Sequence, residues 1–262
     1  MNPTLIAFGR VGEGIYLSSL GAQKITQLTD EGSHSFFWTA DGQHIVYLAS
    51  LPKDEPLPWK RKTLVRMVNV ETGSSRELSL RARFVHRPAE INAGEIVYWV
   101  EDLEERAPIP TRAPRKLDWP FVYEKNGQVF LRRGGQDKQI TSGDRLFNPQ
   151  LSPDGRRVSY NGGGLYVYSV ADGTTIQVGD SDLAGGAAWS PDGKFIAYQV
   201  TKGDGHNTTA SALFIATSDG QVVAELTNGP CARPMHPSWS PDGKTLTFDC
   251  DGGIFIVPCQ PK

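Results

Sequence analysis

The chain is poor in the residues and runs that mark metal, disulfide-rich, exported or membrane-spanning proteins. Its three cysteines, Cys231, Cys250 and Cys259, show no CxxC spacing, which argues against a zinc knuckle or a disulfide framework and leaves room for a single bridge. No segment approaches the ~18 consecutive apolar residues of a membrane helix. The opening MNPTLIAFGRVGEGIYL has no basic stretch leading into an apolar run, so no export signal is read there. The chain as given is expected to be cytoplasmic, or periplasmic or secreted where a leader has been removed. Neither sign of charge dominates, with Lys+Arg 27 against Asp+Glu 29 and a net charge of -2. That balance gives no reason to expect a nucleic-acid or membrane-surface partner. Sustained 3.6-residue periodicity is missing, and so is any GxSxG nucleophile elbow.

What the chain does have is repetition. Aligned on an Asp-Gly pair, FWTADGQHIVY at 37–47, QLSPDGRRVSY at 150–160, AWSPDGKFIAY at 188–198 and SWSPDGKTLTF at 238–248 are four copies of one phrase. EINAGEIVYWV at 90–100 is a degenerate fifth that keeps the glycine and loses the aspartate. Each copy reads as two strands around a tight turn: proline presets φ, aspartate bonds backbone amides, and glycine accepts positive φ. The β-branched and aromatic residues that follow are strand formers with one buried face. Further hairpins such as GLYVYSVADGTTIQVG and ALFIATSDGQVVAELT lie downstream. The repeat unit is therefore four short antiparallel strands in about 40 residues, the pattern of a propeller blade. The expectation is an all-β chain forming a single β-propeller domain over 1–262, monomeric, with Trp189 and Trp239 packed between blades.

The W-S-P-D-G phrase, followed by IAY-like, LYV-like and QLT-like strands, resembles the propeller repeat of TolB and of the propellers attached to some serine peptidases. The resemblance covers nearly the whole chain and implies a fold rather than a task. Second-strand triplets occur at 6–8, 45–47, 96–98, 121–123, 158–160, 196–198 and 246–248. The third and fourth stand too close for a full blade and are expected to share one, so six blades are favoured over seven. The N-terminal unit lacks a first strand and the C-terminal unit a fourth.

The repeat also aligns the loops that enter each innermost strand, where binding residues usually sit. Counted from the tryptophan position, His34 and His86 fall four residues upstream, while Asn148 and His236 fall three upstream. Arg87, Arg145 and Arg233 are near them, and His206 lies in a long loop expected on the same face. Two functional readings follow. In one, His34, His86, Arg87, Arg145, Asn148, His206, Arg233 and His236 line a channel mouth and loop-rich face that bind a protein or peptide, with no catalysis and no cofactor. In the other, His34, His86 and His236 hold a divalent metal and the arginines clamp a carboxylate, similar to metal-dependent propeller lyases of acidic sugars. Against both stands a plain alternative, that these side chains only bond loop backbone and fix the strand entry. Asp41, Asp154, Asp192 and Asp242 are read as turn formers, WKRK at 59–62 as a solvated basic loop, and the Pro-rich 107–120 as a stiff insertion. NTT at 207–209 matches a glycosylation pattern, and His44 is read as surface.

Overall fold

The computed structural model describes residues 5–10, 13–19, 25–31, 36–38, 42–49, 63–82, 90–92, 95–97, 99–101, 108–110, 120–179, 184–203, 208–226, 231–240, 242–250 and 253–259. Every regular element among them is a β-strand. The chain groups into two compact units, Met1–Lys116 and Leu117–Lys262.

In the first unit, β1 (Leu5–Arg10), β2 (Gly14–Ser19) and β3 (Ile25–Gln27) form one antiparallel sheet. A second contains β4 (Phe36–Trp38), β5 (His44–Ala49), β6 (Thr63–Asn69) and β7 (Ser75–Ala82). The degenerate repeat copy is a two-stranded pair of β8 (Glu90–Asn92) and β9 (Glu95–Val97), followed by the pair β10 (Trp99–Glu101) and β11 (Pro108–Pro110). Ile15, Ile45, Tyr47 and Val68 make the core shared by the first two sheets.

The second unit holds four sheets. They are β12 (Phe121–Lys125), β13 (Gln128–Arg133) and β14 (Gln136–Gln139); β15 (Phe147–Leu151), β16 (Arg157–Asn161), β17 (Leu165–Ser169) and β18 (Thr175–Val178); β19 (Ala184–Trp189), β20 (Phe195–Gly203), β21 (Thr208–Thr217) and β22 (Val222–Glu225); and β23 (Met235–Trp239), β24 (Thr245–Cys250) and β25 (Gly253–Pro258). Among the described residues six sheets have three or four strands, in line with the six blades favoured from the sequence; of the two close second-strand triplets, β9 pairs with β8 and β12 with β13. Among the described residues the first and the last of these sheets have three strands each.

One cross-strand pair recurs from sheet to sheet. Phe8 stacks on Tyr16, Tyr123 on Phe130, Tyr160 on Tyr166, Tyr198 on Phe214 and Phe248 on Phe255, with ring centroids 5.3 to 5.7 Å apart. Offset aromatic pairs of this kind add ~0.5–1.5 kcal/mol beyond the area they bury. The second sheet departs from the rule, because Tyr47 faces Arg66, whose guanidinium pairs with Glu31.

The repeated phrase itself is a two-residue hydrogen-bonding device. Ser190 Oγ donates to Asp192 Oδ1 at 2.6 Å and accepts from the Phe195 amide at 2.9 Å, while Asp192 Oδ1 accepts the Lys194 amide at 3.1 Å. Ser152 with Asp154, and Ser240 with Asp242, repeat the same set. Gly193 takes φ +71° and its amide donates to Ser190 O, closing the turn. The serine thus does as much as the aspartate, a role the proline-aspartate-glycine reading did not assign. Burial pushes the Asp154 and Asp192 carboxyls up, and the serine and backbone donors outweigh it, leaving both below their ordinary value. At Asp242 the Ser240 hydroxyl leads in the same downward direction.

Both tryptophans pack between sheets, as expected. Trp189, 8% exposed, sits among Leu165, Val167 and Ile196 and donates its indole N–H to Ser159 Oγ of the preceding sheet at 3.0 Å. Trp239 donates to Ala188 O at 3.0 Å.

Candidate functional site

The Ser-Asp turns close one end of the second unit's sheets. The opposite end, where β15, β19 and β23 begin, carries Asn148 and His236. Both residues have positive φ, 50° and 51°, and both sit where the pairing register of their strand shifts by a bulge. The equivalent residue of the intervening sheet is Gly186, φ 53°, at the same register shift. The shared sequence position is therefore a left-handed bulge in the innermost strand. Asn, His and Gly are among the residues that enter this region most readily. Backbone geometry thus accounts for which residue types recur there, and favours the plain alternative as far as residue identity goes.

A second series, one residue after the aromatic of each second strand, completes the arrangement. Asn161 Nδ2 donates to Ala184 O of the next sheet at 3.0 Å. Gln199 Oε1 accepts the His236 amide of the next sheet at 3.3 Å. A Cβ on Gly186 would lie 2.8 Å from that same oxygen, so a larger residue there would have to displace the Gln199 amide. Asp249, the third of the series, turns instead to its own sheet: His236 Nδ1–H donates to Asp249 Oδ1 at 2.7 Å. The His236 side chain is 75% exposed. Gln150 Nε2 adds a bond to Ala187 O at 2.7 Å. Asn161, Gln199 and Asp249 were missed in the sequence, yet VSYN, IAYQ and LTFD carry them at one position and a polar residue ending an apolar strand was the available signal.

The structure brings His236 together with Asp249 and Gln199, and places Asn148 at the corresponding point two sheets away, with the Gly186 sheet between. Phe147, beside Asn148, is 51% exposed. Arg145, φ 60°, is exposed in the turn before β15, where the next amide, that of Leu146, donates to Gly127 O. Arg233 is exposed in the stretch leading into β23. His34, His86, Arg87 and His206 lie outside the described residues, as do the basic run at 59–62 and most of 107–120. The proposed three-histidine metal set is thus represented by His236 alone, and among the described residues no group of three His, Cys, Asp or Glu side chains is placed to hold a metal ion. His44 is partly buried and its Nε2 stands 3.3 Å from Asn69 Nδ2. Among the described residues no helix is long and apolar enough to cross a membrane.

No family model matches the chain. In sequence it is similar to the Tol-Pal system protein TolB of Anaeromyxobacter dehalogenans strain 2CP-C, 33% identical over 191 residues that cover 68% of this chain and 38% of that protein. The Tol-Pal system protein TolB of Anaeromyxobacter sp. strain K matches to the same extent. The chain therefore spans about two-fifths of the length of these curated relatives. In structure it is similar to TolB from Acinetobacter baumannii, with a TM-score of 0.58 at 15% identity over 97% of this chain and 61% of the other. It is also similar to the β-propeller domain of Myceliophteria thermophila Cps50 (Swd1), with a TM-score of 0.66 at 16% identity over 98% and 94%. These likenesses make the all-β sheets the blades of a β-propeller.

Proposed function

We propose that this TolB-like β-propeller is a non-catalytic module that binds a protein or peptide partner at the strand-entry end of its blades. The observation that carries the reading is the row formed by Asn148, Gly186 and His236. Three successive inner strands bulge at one level, and two of them display an exposed hydrogen-bonding side chain there. Around this row the backbone is already stitched by Asn161, Gln150 and Gln199, so the displayed groups are held by rigid strands. Preorganisation of that kind lowers the entropic cost of binding. Phe147 beside Asn148 supplies exposed aromatic area, and aromatic side chains are common anchors in interfaces. The curated relatives are proteins of the Tol-Pal system, which supports a role in assembly rather than turnover, although the chain matches only 38% of their length.

The test is site-specific photo-crosslinking. A photoreactive residue at Asn148 should capture one recurring protein from the native extract, whereas the same residue at Lys244, in the Ser-Asp turn at the other end, should not. Equal capture from both positions, or the same background from both, would remove the reading.

A further inference from the structure

The last sheet carries a covalent constraint at the corner that holds His236. Cys231 and Cys250 form a disulfide, with Cα atoms 6.0 Å apart and a sequence separation of 19. Cys250, 2% exposed, ends β24 directly after Asp249, and Cys231 opens the stretch that enters β23 and reaches His236. In the two preceding sheets the equivalent corner is secured from the second strand to the following sheet, by Asn161 to Ala184 O and by Gln199 to the His236 amide. In the last sheet Asp249, at the equivalent position, turns back onto the His236 ring. The disulfide stands at the next residue, where it closes the entry stretch onto β24. From the neighbouring sheet, Ser211 also grips this stretch, its hydroxyl donating to Pro234 O at 2.7 Å and its amide to Ala232 O at 3.2 Å. Those two bonds hold the stretch to β21, and the covalent link joins its first residue to β24, one residue beyond Asp249, which already pairs with Met235 and bonds the His236 ring.

We propose that the Cys231–Cys250 disulfide is a redox-dependent lock on the His236–Asp249 corner. The inference rests on the reading of this end as the binding surface. Opening follows thiol–disulfide exchange with a dithiol reductant. Its thiolate attacks Sγ of Cys231, the less buried of the two residues, and the Cys250 thiolate leaves and takes up a proton. The second thiol of the reductant then displaces Cys231, so the reductant becomes a cyclic disulfide and the protein gains two thiols. Cys259, free and buried at the other end of β25, takes no part.

The experiment starts from full-length protein prepared without reductant from an oxidising compartment. Alkylation after denaturation should count one free thiol; three would overturn the proposal. Folded protein is then reduced with dithiothreitol, and amide hydrogen exchange is followed by peptide. Exchange across 231–236 should rise at least tenfold while β15–β18 changes less than twofold, and the His236 ring, assigned by His236→Gln, should lose its Asp249-bonded NMR signature. Unchanged exchange and an unchanged ring signal in the reduced protein would sink the lock. The variant Cys231→Ser should reproduce the reduced state without reductant. Crosslinking from Asn148 separates the two readings: equal capture in both redox states rejects the lock and keeps the binding surface, while no capture in either rejects the surface and leaves the lock to be judged by exchange.

Discussion

Trp189 and Ser159 illustrate how single residues join one blade to the next. The indole N–H is buried and its one partner is a serine hydroxyl on the preceding sheet. Trp189→Phe keeps most of the apolar area and leaves that hydroxyl without its donor, so a loss of ~1–3 kcal/mol is expected in urea unfolding. A loss below ~0.3 kcal/mol would mean that the bond is made equally well to water. The tryptophan was legible in the sequence because it repeats at a fixed offset from the turn. Its partner was not, since Ser159 has the chemistry of any exposed strand serine until the neighbouring sheet is placed. The partners of Asn161 and Gln199 were hidden for the same reason, because each lies on the next sheet.

Strands and bulges show what repetition conceals. Leu213 and Ile254 hold the same place, one residue before the aromatic partner in β21 and β25, yet Leu213 is fully buried and Ile254 is 38% exposed. Leu213 packs with Phe248 and Cys250 of the following sheet. Leu213→Ala should therefore cost ~2–5 kcal/mol, and Ile254→Ala markedly less, because part of its area is already in water. Equal losses in denaturant titrations would contradict this division. The bulge residues obey a different rule. Asn148→Gly should change stability by no more than ~1 kcal/mol, since glycine accepts φ 50° without strain. Asn148→Val, which adds a branched Cβ in the left-handed region, should cost more than ~1–2 kcal/mol. The sequence showed that Asn148 and His236 are equivalent but not why, because a bulge is a property of two strands and the alignment displays one.

For the molecule as a whole, the clearest consequence of the turn geometry is a dependence on acid. Asp154, Asp192 and Asp242 are all held below their ordinary carboxyl value, and Asp172 is held at about 2, chiefly by the Thr174 amide and hydroxyl. A carboxyl whose folded value is depressed contributes stability above its unfolded value of about 3.9, and that contribution is lost as pH falls through the folded value. The urea midpoint should thus be flat above pH ~5 and fall steadily towards pH ~2. Replacing these four aspartates with asparagine should flatten that fall; an unaltered slope would place the acid-sensitive groups elsewhere. At this scale the all-β class and the blade repeat were legible from the WSPDG register alone. The left-handed bulges have one further consequence. A backbone that admits chiefly Gly, Asn, Asp and His at a displayed position restricts the set of side chains that evolution can sample there. On the binding surface proposed above, exchange within that set would alter recognition while the scaffold stays as it is, so specificity would drift without a matching loss of folding stability.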